Sequence, residues 1–169
     1  RVPMLLGGKD AAALEALLEP LGFSMEIAAD GVGVASAIKM CRSVMIKGLE
    51  SLLVESLTSA RAYGVEDRVI ASLHETFPEL DWEKVASYMV SRTALHGKRR
   101  AEEMREVAVT VREAGLDPWM ASATAERQDW MAASKEPAHL AQVAKDANWR
   151  EYADRLLAAV AARRTSAAD

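Results

Sequence analysis

The chain has 169 residues, and half of them are hydrophobic, which is enough for one sizeable core and places it among globular proteins. Its formal charge of -4 at pH 7 argues against a dedicated nucleic-acid binder, because the counterion release that dominates such binding needs a basic surface. Cys41 is the single cysteine, which excludes an internal disulfide and a multi-cysteine metal site and suits a reduced cytosolic thiol. No hydrophobic run is long enough to span a bilayer and the N-terminus lacks a secretory-signal pattern, so no membrane partner and a cytoplasmic location are expected.

In chain order, Val2 to Leu6 is a short apolar run closed by Gly7-Gly8, Asp10 to Leu21 has helical periodicity, and Phe23 to Ala28 again reads as a strand. This is β-α-β order, although two short strands do not make a stable sheet alone. From Gly33 onward the pattern is helical. Val34, Ile38, Cys41, Met45, Leu49 and Leu52 recur at helical spacing and predict one apolar stripe along an unusually long helix, stopped after Tyr63 by Gly64. Asp81 caps a segment running toward Leu95, Gly97 is expected to interrupt it, and Lys98 to Ala114 resumes the pattern up to Gly115. Asp117-Pro118 reads as a helix start, with Asp117 as cap and Pro118 in the first turn, for a helix to about Ala133. Pro137 opens a last stretch of two shorter helices split near Asn148, with fraying after Arg164.

Several residues carry candidate chemistry. The turn Gly31-Val-Gly33 places Lys39 two turns into the long helix, where a positioned amine is a candidate for proton transfer. Ser36, Lys39, Ser43 and Glu50 fall in one arc opposite the apolar stripe, with Lys47 at its margin; the arc reads either as a cleft lining or as a solvated face. Arg42 reads either as a bidentate ligand for an anion or as one half of a structural salt bridge. Arg92, His96, Lys98, Arg99 and Arg100 form a dense basic cluster around Gly97, where a glycine allows a bend or the approach of a ligand. The tryptophans and methionines read as core and interface packing. No metal-ligand spacing and no nucleophile motif are present in the sequence. Gly31-x-Gly33-x-x-Ser36 also follows a strand and opens a helix, as a dinucleotide-binding turn does. Ser36 violates the third glycine place, however, and the region where an acidic residue should end a second strand still lies inside the long helix.

The Gly-x-Gly-x-x-x-x-x-Lys segment, the run Ala35 to Glu50 and the run His96 to Met104 resemble the β-hydroxyacid dehydrogenases and 6-phosphogluconate dehydrogenases, specifically a phosphogluconate-dehydrogenase-like C-terminal domain, from about the first residue to about Ala133. The resemblance implies a mainly α fold, a multi-helix domain with a long central helix, preceded by a β-α-β remnant of a Rossmann domain. Residues 1–30 would be that remnant, and residues 31–169 an all-α substrate-binding and dimerisation domain. It further implies an oxidoreductase transferring hydride between a hydroxy acid or related alcohol and NAD or NADP, the nucleotide being held mainly by a preceding domain. Lys39 is then the general acid/base, best served by partial burial; Ser36, Arg42 and Ser43 contact the substrate, and His96, Arg99 and Arg100 face the cofactor. Ser43 departs from the family pattern, which has asparagine there. A small anionic substrate and a homodimer are the implied partners. The rival reading is a non-catalytic helical dimerisation or interaction module.

Overall fold

Pro3–Gly7 and Ser24–Ala29 form strands β1 and β2 in the computed structural model, which describes residues 3–134 and 147–166. The strands pair in parallel, Pro3 opposite Ser24 and Leu6 opposite Ile27, with the register shifting between Leu6 and Gly7. Parallel neighbours need a crossover connection. Helix α1 (Ala11–Leu18) and a single 3-10 turn (Glu19–Leu21) supply it, and the turn closes on Gly22, whose φ of 84° only glycine adopts without strain. The β-α-β order expected from the sequence is present. Two strands offer little to bury: Ala11 is the one fully buried apolar side chain of this part among the described residues, while Leu17, Leu21 and Phe23 are exposed.

The chain divides into two compact units, residues 1–43 and 44–169, and the long helix α2 (Val34–Tyr63) runs from the first into the second. The second unit adds α3 (Glu66–Thr76), α4 (Trp82–Glu113), α5 (Trp119–Ala133) and α6 (Trp149–Ser166). The fold is therefore mainly α, as expected. α2 stops where predicted, with Gly64 at φ 67° and its N–H bonded to the Arg61 carbonyl. Asp81 caps α4 through a 3.2 Å bond from the Lys84 N–H, also as predicted. α3 follows the Gly64 turn as a separate helix that the sequence reading had not singled out. The segment opened by Pro137 lies outside the described residues up to Asn148, and α6 starts directly after it.

The core of the helical unit forms where α2, α4, α5 and α6 meet, with Leu57, Val90, Met131, Trp149, Tyr152 and Leu156 all nearly inaccessible. Burying each side chain of this size stabilises by roughly 1.5–3 kcal/mol relative to leaving it exposed. Two arginine clips hold the periphery. Arg61 of α2 reaches both oxygens of Asp154 on α6, at 2.7 and 3.0 Å, and also pairs with Glu66 on α3. Arg150 of α6 bonds Glu83 at 2.7 and 2.8 Å and Asp67 at 2.6 Å, with its guanidinium 4.5 Å over the Trp149 ring. These hydrogen bonds from Arg150, together with one from the Trp149 indole, hold the Glu83 carboxyl below the usual carboxylate range.

Three expectations are corrected. α4 does not break at Gly97. A Cβ there would lie 2.7 Å from the Gln128 carbonyl oxygen and 3.3 Å from the Ala132 nitrogen, so this glycine exists to let α4 and α5 approach closely. α5 begins one residue later than proposed, with Pro118 in the cap position and no side-chain cap bond, so Asp117 does not cap it. The third correction concerns α2: the stripe read as its core face is its open face. Val34, Ile38, Cys41, Met45 and Leu52 are exposed, Met45 at 72%, and of the stripe Leu49 alone is packed against the core, whereas Ser43, Lys47, Glu50, Val54 and Leu57 form the buried seam at spacings of four and three. Among the described residues no helix is long and apolar enough to cross a membrane.

The packing at Gly97 has a measurable consequence. Gly97→Ala is expected to lower stability by about 1–3 kcal/mol because the new methyl meets backbone on α5. Gly48→Ala, whose Cβ would meet only the Thr124 hydroxyl at 3.9 Å, is expected to be neutral or to stabilise by up to about 1 kcal/mol through helix propensity. Urea unfolding midpoints of the two variants check this; equal midpoints would contradict the close-approach role.

Candidate functional site on helices α2 and α4

The start of α2 is set by its glycines. Gly33 has φ 89°, its carbonyl accepts the Ala37 N–H at 2.9 Å, and Gly31 accepts from Val34 at 3.4 Å, so the chain leaves β2 and enters the helix through a turn that L-residues resist. From this start Ser36 and Lys39 project from α2 as exposed side chains, Arg42 is exposed, and Ser43 is buried. The partial burial expected for Lys39 is thus not provided by the described residues of this chain. Farther along the same arc, burial becomes complete.

In the helical unit, Lys47 is nearly buried and its Nζ lies 3.0 Å from Glu103 of α4, which also accepts from Arg99. One turn on, Glu50 is 1% exposed. Its Oε1 accepts from Arg100 Nη1 at 2.6 Å, its Oε2 is bonded by the same nitrogen, and Gln128 Nε2 of α5 donates to Oε2 at 3.2 Å. Burial pushes the Glu50 carboxyl up from its ordinary value, while the Arg100 charge and the Gln128 and Arg100 hydrogen bonds pull it down. Arg100 is the cation that makes a buried carboxylate at this place tolerable.

The basic run on α4 consequently splits by direction. Arg100, read from the sequence as facing a cofactor, is 5% exposed and turned onto Glu50. Arg99 is exposed beside Glu103, His96 is half-buried with an interaction of its own, and Arg92 is half-buried with its guanidinium 5.7 Å from the centre of the Tyr88 ring. The spacing of four, three and four from Arg92 through His96 and Arg99 to Glu103 keeps these on one face of α4, with Arg100, four residues after His96, at the edge of that face and bonded to Glu50. Sequence reasoning missed the inward role of Arg100; the signal available was Glu50, an acidic residue on an arc that continues into the apolar pair Val54 and Leu57. It also passed over an open cavity of about 640 Å³ in the first unit, at the carboxyl ends of both strands, bordered by Gly8, Lys9, Asp10 and Asp30. No group of acidic, histidine and cysteine side chains suited to a metal occurs among the described residues.

Residues 60–131, from the end of α2 through most of α5, match a domain of unknown function, DUF1932. A solved structure of a conserved hypothetical protein from Sinorhizobium meliloti 1021 is 40% identical and superposes with a TM-score of 0.84 over 94% of this chain and 52% of its own. A second, a conserved protein of unknown function described as structurally similar to 3-hydroxyacid dehydrogenases, is 32% identical with a TM-score of 0.67 over 78% of this chain and 50% of its own. The fold of this chain is similar to that of the 3-hydroxyacid dehydrogenases. An uncharacterized 28.5 kDa protein encoded in the 7S RNA 5' region of Methanothermus fervidus is 32% identical over 124 residues, covering 72% of this chain and 47% of that protein. The chain therefore spans about half the length of the relatives it matches. The DUF1932 match includes Arg92, His96, Arg99 and Arg100, whereas Lys39 and Glu50 precede it.

Removing one half of the buried pair leaves the other charge without compensation. Arg100→Met is expected to cost about 3–5 kcal/mol, and the double variant Glu50→Leu/Arg100→Met less than either single change. Chemical unfolding of the single and double variants measures this; additive losses would show that the two side chains do not act as a pair.

Proposed function

We propose that this chain is the substrate-binding helical part of an NAD(P)-dependent oxidoreductase that acts on a small anionic hydroxy acid or related alcohol. Lys39 transfers the proton of the substrate hydroxyl. The observation that carries this reading is the placement of Lys39: an exposed amine two turns beyond a glycine turn, on one arc of α2 with Ser36 and Ser43, in a chain of hydroxyacid-dehydrogenase-like fold. Ser36 and Arg42 are exposed on the same stretch and are assigned to the substrate. Ser43 is buried and engaged, so its role is to support the helix face rather than to reach far from it.

In this reading residues 1–30 are the end of a nucleotide-binding domain, and NAD or NADP is held mainly by that domain in a protein of the relatives' length. The first unit fits such an assignment, with parallel strands joined by a helix and a cavity at their carboxyl ends, where nucleotide-binding sheets take their ligands. On this chain His96 and Arg99 are the side chains assigned to the cofactor; Arg100 is withdrawn because Glu50 occupies it. A bound nicotinamide ring supplies or accepts the hydride. Lys39 does the complementary work: as an ammonium it donates a proton to the substrate oxygen during reduction, and as an amine it accepts that proton during oxidation. Its exposure on this chain means that water must be excluded by whatever covers the amine in the complete cleft.

For a protein of the relatives' length carrying this chain, Lys39→Ala is expected to lower kcat by a factor of about a hundred or more, the range of general acid/base groups, with cofactor affinity nearly unchanged. Turnover within a few-fold of wild type in hydroxy-acid assays with both cofactors would remove Lys39 from the mechanism.

The alternative, a non-catalytic dimerisation module, shares one feature with the enzyme reading. The exposed stripe of Ile38, Met45 and Leu52 on α2 has the seven-residue spacing of a helix-pairing seam, and a second copy of the chain would cover it isologously. Met45→Glu is expected to convert a dimer to a monomer in sedimentation equilibrium at micromolar concentration. A wild-type chain that sediments as a monomer near its 18.4 kDa mass would contradict this interface.

A further inference from the structure

Every half-buried or buried arginine of the helical unit but one holds, or is otherwise engaged by, a partner. Arg61 holds Asp154 and Glu66, Arg100 holds Glu50, Arg127 holds Glu55, Arg150 holds Glu83 and Asp67, and Arg155 has an interaction of its own. Arg92 is the exception: among the described residues it has no hydrogen-bonded carboxylate, and its guanidinium lies 5.7 Å from the centre of the Tyr88 ring. A guanidinium that gives up part of its hydration without a carboxylate in return is set up to accept an anion.

The charges around Arg92 favour the same outcome. Glu50 attracts it through space, but both Glu50 oxygens are already bonded by Arg100, and Gln128 donates to one of them as well. Glu103, the next carboxylate along α4, is shared by Lys47 and Arg99. The linked set Lys47, Arg92, Arg99 and Arg100 against Glu50 and Glu103 leaves an excess of positive charge, with half-buried His96 one turn from Arg92. The other ion pairs of the unit among the described residues match each cation with at least one carboxylate, as Arg61 does with Asp154 and Glu66 and Lys84 with Asp81.

We infer that Arg92, with His96 beside it on α4, is an oxyanion-binding site that receives a carboxylate or phosphate group. The inference deepens the proposed function by moving the anion contact from Arg100 to Arg92. It does not depend on Lys39, because the binding is to α4 alone. The planar guanidinium presents a fork to two oxygens of the anion, and the Tyr88 ring holds the fork in one plane.

The test uses this 169-residue chain with inorganic phosphate and malonate as probes. In the wild type, added phosphate or malonate is expected to shift the Arg92 Nε–H resonance and to leave that of buried Arg100 in place. Calorimetric affinity is expected to fall by roughly tenfold or more in Arg92→Gln, the loss of a charge-assisted bond. Arg112→Gln, which changes an exposed arginine of the last turn of α4, is expected to bind like wild type. Tighter malonate than phosphate binding assigns the site to the substrate's carboxylate; the reverse order assigns it to a cofactor phosphate. In a protein of the relatives' length, Lys39→Ala with unaltered probe binding and lost turnover supports both readings, and lost turnover with no probe binding overturns the Arg92 site alone. Absence of any shift at Arg92 in the wild type, or equal affinity in Arg92→Gln, overturns the inference.

Discussion

A carboxylate shut away from water at the junction of three helices governs the helical unit. Glu50 on α2 needs a cation and a donor at fixed positions, and Arg100 on α4 and Gln128 on α5 provide them. Gln128 is also the residue whose carbonyl occupies the space in front of Gly97. The two features are therefore one constraint: α5 must come close enough to α4 for the Gln128 amide to reach Glu50, and only a residue without a Cβ at position 97 permits it. Such a pair adds little net stability over a well-packed apolar core, since desolvation offsets the attraction. Its effect is on register. Sliding α2 by one turn would leave Glu50 and Arg100 both buried and bare, so competing packings are heavily penalised.

From that constraint follows the way charge is distributed on α4. One arginine must turn inward to meet Glu50, and the helical period sets Arg92, His96 and Arg99 along the adjoining strip of α4. Glu103 is drawn to Lys47 and Arg99, leaving Arg92 as the member of the row that no carboxylate answers among the described residues. Local basicity arises here in a chain with a negative overall charge. In the proposed anion site, a local excess of this size is matched to one small anion.

The general architecture was readable in the sequence because its signals are local. Gly-bounded apolar runs around a helical segment gave β-α-β, Gly64 and Gly115 marked helix ends, and Asp81 marked a start, each through backbone rules that act over a few residues. The resemblance built on Gly31, Gly33 and Lys39 led to the hydroxyacid-dehydrogenase-like fold that the comparisons bear out. What was not readable depends on pairs distant in sequence. Gly97 looked like a break because its partner backbone lies at Gln128 and Ala132, and Arg100 looked like part of an outward cluster because Glu50 is fifty residues away. The face of α2 was read backwards for the same reason: periodicity locates a stripe but does not say what packs against its opposite side.

That reversal gives α2 its character. A helix that buries Ser43, Lys47 and Glu50 and exposes Ile38, Met45 and Leu52 has placed its polar residues where specificity is needed and its apolar ones where they remain available. Large exposed apolar side chains scattered singly need no explanation, but a row at seven-residue spacing along one helix is a different object. The row presents a continuous ridge to a partner, and covering it removes apolar surface from water without disturbing the ion pairs on the far side.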